Sequence, residues 1–286
     1  MYRLFVKIFK IITSILFGLL LVLLIFINIF FKPKSDEDIR KVFKEANITL
    51  QIETYKFKDV SFRVISTRKE IDTTLPKIVF VHGSPGSTMD FERYLLDKEL
   101  NLKANLIAFD RVGYGVSNIG DIRTIAFETE LLNSLTSSLN VSKTILVGYS
   151  YGGPIALASK KKYKKIVLCA PAVYAEVEPM FWFLNFYKWK ATRWLIPDLL
   201  KAASKEKLQH RDDLRSMESN WKDNTSEIHV IHGDEDSIVP YKNSLFIQNQ
   251  FPKNQLELIT LKGAGHALIW SRFEEIKNEL IKIIEE

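Results

Sequence analysis

The sequence predicts an α/β protein: a mostly parallel central sheet with helices on both faces, a short helical cap, and an N-terminal transmembrane helix. Three observations carry that reading. Short, continuous apolar runs of strand length alternate with helix-compatible segments from about residue 77 to 284, the pattern of strands buried on both faces. A serine bracketed by glycines, Gly148-Tyr149-Ser150-Tyr151-Gly152, falls between the apolar run Thr144-Ile145-Leu146-Val147 and a helix-compatible stretch at 153–162. Residues 11–31 form one uncharged, Leu/Ile/Phe-rich stretch that belongs to no such rhythm. The organisation expected is a membrane anchor at 1–34, a tether at 35–47 and an α/β domain at 48–286, with a cap inserted at about 172–224.

Taken in order, the N-terminal stretch would be about 31 Å long as a helix, against a hydrocarbon core of roughly 30 Å. It ends in Ile29-Phe30-Phe31-Lys32-Pro33-Lys34, which lacks the small residues of a signal-peptidase site, so a single-pass, uncleaved anchor is expected. Basic residues flank it on both sides, and charge therefore assigns no sidedness to the α/β domain. Residues 35–46 are charged and helix-compatible. Alternation at 50–53 and 60–64 indicates half-buried antiparallel strands at a sheet edge. Buried strands are expected at 77–81, 105–109, 144–147, 165–169, 228–232 and 256–261, with helices at 124–139, 153–162, 244–251 and 268–284. The insertion is rich in aromatics (Phe181, Trp182, Phe183, Phe186, Tyr187, Trp189, Trp194) and continues as a charged helical stretch at 201–221. It reads as an apolar substrate lid or a surface dipping into lipid.

Composition excludes other classes. The formal charge of +6 comes largely from Arg3, Lys7, Lys10, Lys32 and Lys34; without them 35 basic residues face 34 acidic ones, so the domain is nearly neutral and a nucleic-acid partner is not expected. Cys169, the single cysteine, lies in an apolar run and reads as a buried small hydrophobe. No dinucleotide or phosphate-cradling fingerprint is present. His229 and His232 on one strand would point to opposite faces, so no metal site is expected, and no cofactor.

A serine on a tight strand-to-helix turn is thrust out of the backbone, where a base can reach it. Among five histidines, His266 in Gly263-Ala264-Gly265-His266 comes after the last strand and is assigned as general base; His82 and His232 precede glycines at strand ends and read as structural. For the orienting acid, the loop after 228–232 offers Asp236 and Asp234. Asp236 is preferred, because a residue next to the strand end holds the turn more often than it reaches across it. Backbone N–H groups of Tyr151, at the start of the following helix, and of Ser84, in the loop after His82, are the expected oxyanion donors, with Gly83 the alternative to Ser84.

From about Val60 to Ile284 the chain resembles the α/β-hydrolase superfamily. The matching pieces are His82-Gly83, Asp110-Arg111-x-Gly113-x-Gly115, the elbow at Ser150, the Gly-x-x-Asp loop ending at Asp236, and Gly265-His266. The resemblance implies that Asp110 and Arg111 shape the floor of the site and that Ser150, Asp236 and His266 form a catalytic triad. A serine rather than an aspartate at position 150 disfavours epoxide and halide chemistry. The function expected is a serine hydrolase cleaving carboxylic esters through an acyl-enzyme, with an apolar or lipid-like small molecule as substrate and no obligate protein partner. Alternatives on the same machinery are a peptidase, thioesterase, C–C bond hydrolase or acyltransferase. A non-catalytic binding protein on this fold would be marked by a broken triad.

Overall fold

The apolar runs assemble into one eight-stranded sheet. The protein is described by a computed structural model covering residues 2–30, 32–117 and 120–286; Phe31, the last residue of the apolar N-terminal stretch, lies outside the described residues. The strands are β1 (Gln51–Phe57), β2 (Val60–Ser66), β3 (Lys77–Val81), β4 (Asn105–Phe109), β5 (Thr144–Tyr149), β6 (Lys165–Cys169), β7 (Ile228–Gly233) and β8 (Leu256–Leu261). Their order across the sheet is β1-β2-β4-β3-β5-β6-β7-β8. The β1/β2 hairpin joins antiparallel at one edge, and β3 through β8 run parallel. Every residue of β3 to β7 is buried, which is why those segments read as unbroken apolar runs rather than alternating ones.

The period of two sends side chains to two separate apolar clusters, one on each face: Val79, Val81, Leu146 and Leu168 on one, Ile78, Phe80, Ile145 and Val147 on the other. The helices are α1 (Tyr2–Phe30), which stands apart from both clusters, and α2 (Asp36–Glu45), α3 (Glu92–Leu95), α4 (Lys98–Lys103), α5 (Ile125–Leu135), α6 (Gly152–Ala158), α7 (Leu184–Lys188), α8 (Lys190–Arg193), α9 (Asp198–Met217), α10 (Lys242–Gln248), α11 (Leu268–Ser271) and α12 (Phe273–Glu285). Helices α7 to α9 form the cap between β6 and β7. Within α1, the span Leu4–Phe26 is long and apolar enough to cross a membrane, and none of it is buried against the protein. An uncleaved anchor and a secretion signal both meet that criterion.

Three expectations need correction. The segment read as a tether is a docked helix: Ser35 caps α2 in a capping box with Asp38, and Ile39 and Phe43, one turn apart, are fully buried in the core. The helix expected at 268–284 breaks at Arg272 (φ −121°), giving α11 and α12. The helix after Ser150 stops at Ala158, where Ser159 turns extended and its hydroxyl donates to Asn133 Oδ1 at 2.5 Å. In the first and third cases a tertiary contact accompanies the departure from the local pattern.

Candidate active site

The carboxyl ends of β5, β7 and β8 lie close together, and the loops leaving them carry the three singled-out side chains. At the first, Ser150 adopts φ +52°, a left-handed backbone that costs a non-glycine residue on the order of 1 kcal/mol. The flanking glycines are required by close approach. A Cβ on Gly152 would stand 2.1 Å from the Val81 carbonyl oxygen, and one on Gly148 2.6 Å from the Gly152 oxygen. Both obstacles are backbone and cannot yield.

His266 reaches this serine from the loop after β8. Its Nδ1 is 2.8 Å from Asp236 Oδ2, and its Nε2 is 3.1 Å from Ser150 Oγ. A carboxylate only accepts, so Nδ1 carries the proton and Nε2 presents its lone pair to the serine hydroxyl. Burial alone would raise the Asp236 pKa; hydrogen bonds from His232, His266 and the Val239 N–H outweigh it and hold the carboxyl well below the usual range. Asp234 goes elsewhere: it pairs with Lys262 and accepts from Gly263 N–H.

The loop after β3 closes over the serine. A Cβ on Gly83 would lie 3.0 Å from Ser150 Cβ. The Gly83 carbonyl accepts from His82 Nδ1 at 2.8 Å and from Arg111 Nη1 at 3.1 Å, both buried. In a trans peptide that fixes Ser84 N–H pointing the opposite way, off the buried floor. Among the described residues, neither Ser84 N–H nor Tyr151 N–H has a protein acceptor. Both are free for an anion.

A match to known proteins completes the picture. The profile of the alpha/beta hydrolase family covers residues 78–278, from β3 into α12. The chain belongs to that family. Its curated relatives include a Synechocystis sp. protein named "Putative non-heme chloroperoxidase", 23% identical over 256 residues that span 73% of this chain and 91% of the relative. Solved structures sharing the fold include a membrane phospholipase A described as a bacterial virulence factor (TM-score 0.66, 16% identity, 100% of this chain and 98% of that one). Another is an esterase from Exiguobacterium antarcticum (TM-score 0.62, 17% identity, 79% of this chain and 96% of that one).

Several residues around the hydrolase site escape a reading of the sequence. His232, expected to be structural, has its Nε2 facing both Asp236 Oδ2 (3.1 Å) and the Val239 carbonyl (3.0 Å), while its Nδ1 accepts from Ser244 Oγ (2.6 Å). It is therefore a second donor to the acid, and its four-residue spacing from Asp236 is the available signal. Tyr149 stacks on the His266 ring, centroids 5.2 Å apart, and its hydroxyl donates to the His266 carbonyl at 3.0 Å.

The cap reaches the same site through buried charge. Glu206 of α9 pairs with Arg111 and accepts from Tyr114 OH at 2.6 Å; that hydroxyl lies 2.7 Å from Ser84 Oγ. Lys207 pairs with buried Glu178 beside Tyr151, and the His210 ring packs against the Tyr151 ring. Burial, then the neighbouring Lys207 charge, lowers the His210 pKa to about 3, so it sits neutral and donates Nε2–H to the Ala172 carbonyl. Asp110 and Arg111 are both floor residues: Asp110 pairs with Arg63 and accepts from Thr88 N–H at 2.8 Å.

The His229, Glu257 and Glu279 donors lie within 4.8 Å of one another, a spacing a metal ion would accept. The set does not suit one, because the Lys165 ammonium already stands 3.3 Å from His229 Nε2. This cluster belongs to the amino ends of β6 and β7, opposite Ser150.

Proposed function

We propose that this alpha/beta hydrolase is a serine esterase, held to a bilayer by α1, that cleaves carboxylic esters of apolar or lipid-like substrates through an acyl-enzyme. The observation that carries the reading is the line of contacts Asp236–His266–Ser150, at 2.8 and 3.1 Å, with the hydroxyl at the end of it. Ser150 Oγ attacks the ester carbonyl carbon while His266 Nε2 takes its proton. Negative charge gathers on the former carbonyl oxygen, where the N–H groups of Ser84 and Tyr151 receive it. Asp236 keeps Nδ1–H in place and balances the imidazolium that forms. The proton then passes from Nε2 to the departing alcohol oxygen as the C–O bond breaks. Water repeats the sequence on the acyl-serine and releases the carboxylic acid.

An apolar acyl group is supported by the aromatic cap segment, which reaches the site where Lys207 lies over both the Phe181 and the Tyr151 rings. Chain-length dependence tests the substrate class. Full-length protein, in detergent, is assayed on nitrophenyl esters of graded acyl length. The expected result is kcat/KM rising with acyl length; a maximum at acetate that falls with every added carbon would overturn the lipid-like reading.

A further inference from the structure

The cap exposes aromatic side chains that a soluble protein would bury. Trp182, Trp189 and Trp194 are 75%, 59% and 71% exposed, and Phe183 and Phe186 lie among them. Trp182, Phe183, Phe186 and Trp189 form one patch, with Trp182 to Phe183, Trp182 to Phe186 and Phe186 to Trp189 in ring contact, and exposed Trp194 follows five residues on. Lys188, Lys190 and Arg193 are interleaved, and no acidic residue occurs between Glu178 and Asp198. Trp and Phe on one short, purely cationic segment is the composition of a surface that lies in a headgroup layer.

The chain's own membrane helix enters the domain at the same end. Arg63 pairs with Asp110, at the carboxyl end of β4, and with Asp36, and donates to the Lys34 carbonyl at 3.1 Å. The Lys34 ammonium pairs with Glu92, in the segment that comes after the Ser84 loop. Lys34 is thus held at the carboxyl edge of the sheet, the edge that carries Ser150. Phe30, the last residue of α1, is four residues away, at most about 14 Å of chain. The aromatic segment is on this end too: Lys207 lies over both the Phe181 and the Tyr151 rings.

Resting on the reading of α1 as an uncleaved anchor, we infer that the cap segment 181–194 inserts its aromatic rings into the interface of the bilayer that α1 spans, with its cations on anionic headgroups. The catalytic end of the domain then faces the membrane. An apolar substrate can pass from the bilayer to Ser150 beneath α7 and α8 without crossing water. A second copy of the chain could cover the same rings, but it would not account for three cations unopposed by any acid within the patch.

Tryptophan quenching by brominated lipid tests this without relying on turnover. Full-length protein is reconstituted in phosphatidylcholine/phosphatidylglycerol vesicles, with or without bromine on the upper acyl chain, and separated by flotation. The protein is expected to float, and its emission to fall about twofold in brominated vesicles as the three exposed indoles meet lipid. The combined variant W182F, W189F and W194F keeps buried Trp221 and the partly exposed Trp270, which lies at the same end beside Tyr149, so its emission is expected to fall by a clearly smaller fraction than that of the wild type in brominated vesicles. Flotation with emission indifferent to bromine would overturn the proposal while leaving the anchor intact, and emission that changes only on dilution would assign the patch to a second copy instead. Failure to float would remove the anchor, and the proposal with it. The wild-type comparison stands even where the variant does not fold.

Discussion

Replacing Asp236 by Asn keeps the volume of the side chain and breaks the logic of its contacts. Its Oδ1 accepts from Ile238 N–H at 2.9 Å and Val239 N–H at 2.8 Å, while Oδ2 accepts from His266 and His232. An asparagine must keep its oxygen on the two backbone donors, which aims its NH2 at both imidazoles. His266 Nδ1 would then have to accept, placing the proton on Nε2, where it faces Ser150 and cannot take the serine's proton. The flipped amide is worse, since its NH2 would meet two N–H groups. The wrong tautomer is expected to lower kcat/KM by about 10³ to 10⁴, or roughly 4 to 5.5 kcal/mol of transition-state stabilisation. Initial rates on a soluble short-chain ester, with KM and kcat separated, measure it. Asp234→Asn is the companion variant. Its carboxylate serves Lys262 and Gly263 only, and no more than about a twofold change is expected, the scale of a surface pair. A loss under tenfold in Asp236→Asn, or an equal loss in both variants, would refute the reasoning.

Two further perturbations act through the packing. Phe43→Ala removes a fully buried ring from α2 and should cost about 3 to 5 kcal/mol in urea unfolding while leaving the rate on a soluble ester within about twofold; an unchanged midpoint would mean that α2 is not docked. Asp90 lies beside His82 and Gly86, where burial first, and the Asp110 charge against the Ser87 backbone bond, raises its pKa to about 7. The folded state therefore holds this proton more tightly than the unfolded chain does. Its stabilising contribution is complete below about pH 4 and is lost as pH rises toward 7, to the extent of about 2 to 3 kcal/mol between pH 5 and 8. Asp90→Asn, neutral throughout, should gain on the wild type at pH 8 relative to pH 5 when unfolding midpoints are compared; parallel curves would contradict the burial argument.

The parts legible in the sequence are those whose cause is local. Residues 77–81 or 165–169 are apolar on both faces because both faces are covered, and Gly148 and Gly152 flank Ser150 because backbone passes within contact of each. The chain cannot reveal in the same way which distant charges meet. Glu206, Lys207 and His210 read as one solvated face of a helix, yet all three are buried, because Arg111, Glu178 and the Ala172 carbonyl, all distant in sequence, wait beneath α9. The docking of α2 is hidden for a related reason. Only Ile39 and Phe43 among its ten residues are buried, and the charged majority sets the composition. His232 looks like a strand-end residue because its four-residue spacing from Asp236, the one local signal, does not by itself show that the loop turns back toward it.

The central claim is that Ser150 is a nucleophile made reactive by His266. Labelling of the full-length protein with a fluorophosphonate, then mapping of the modified peptide, tests it most directly. One adduct is expected, on Ser150, absent in Ser150→Ala and strongly reduced in His266→Ala. Undiminished labelling in both variants, or an adduct on another serine, would contradict it.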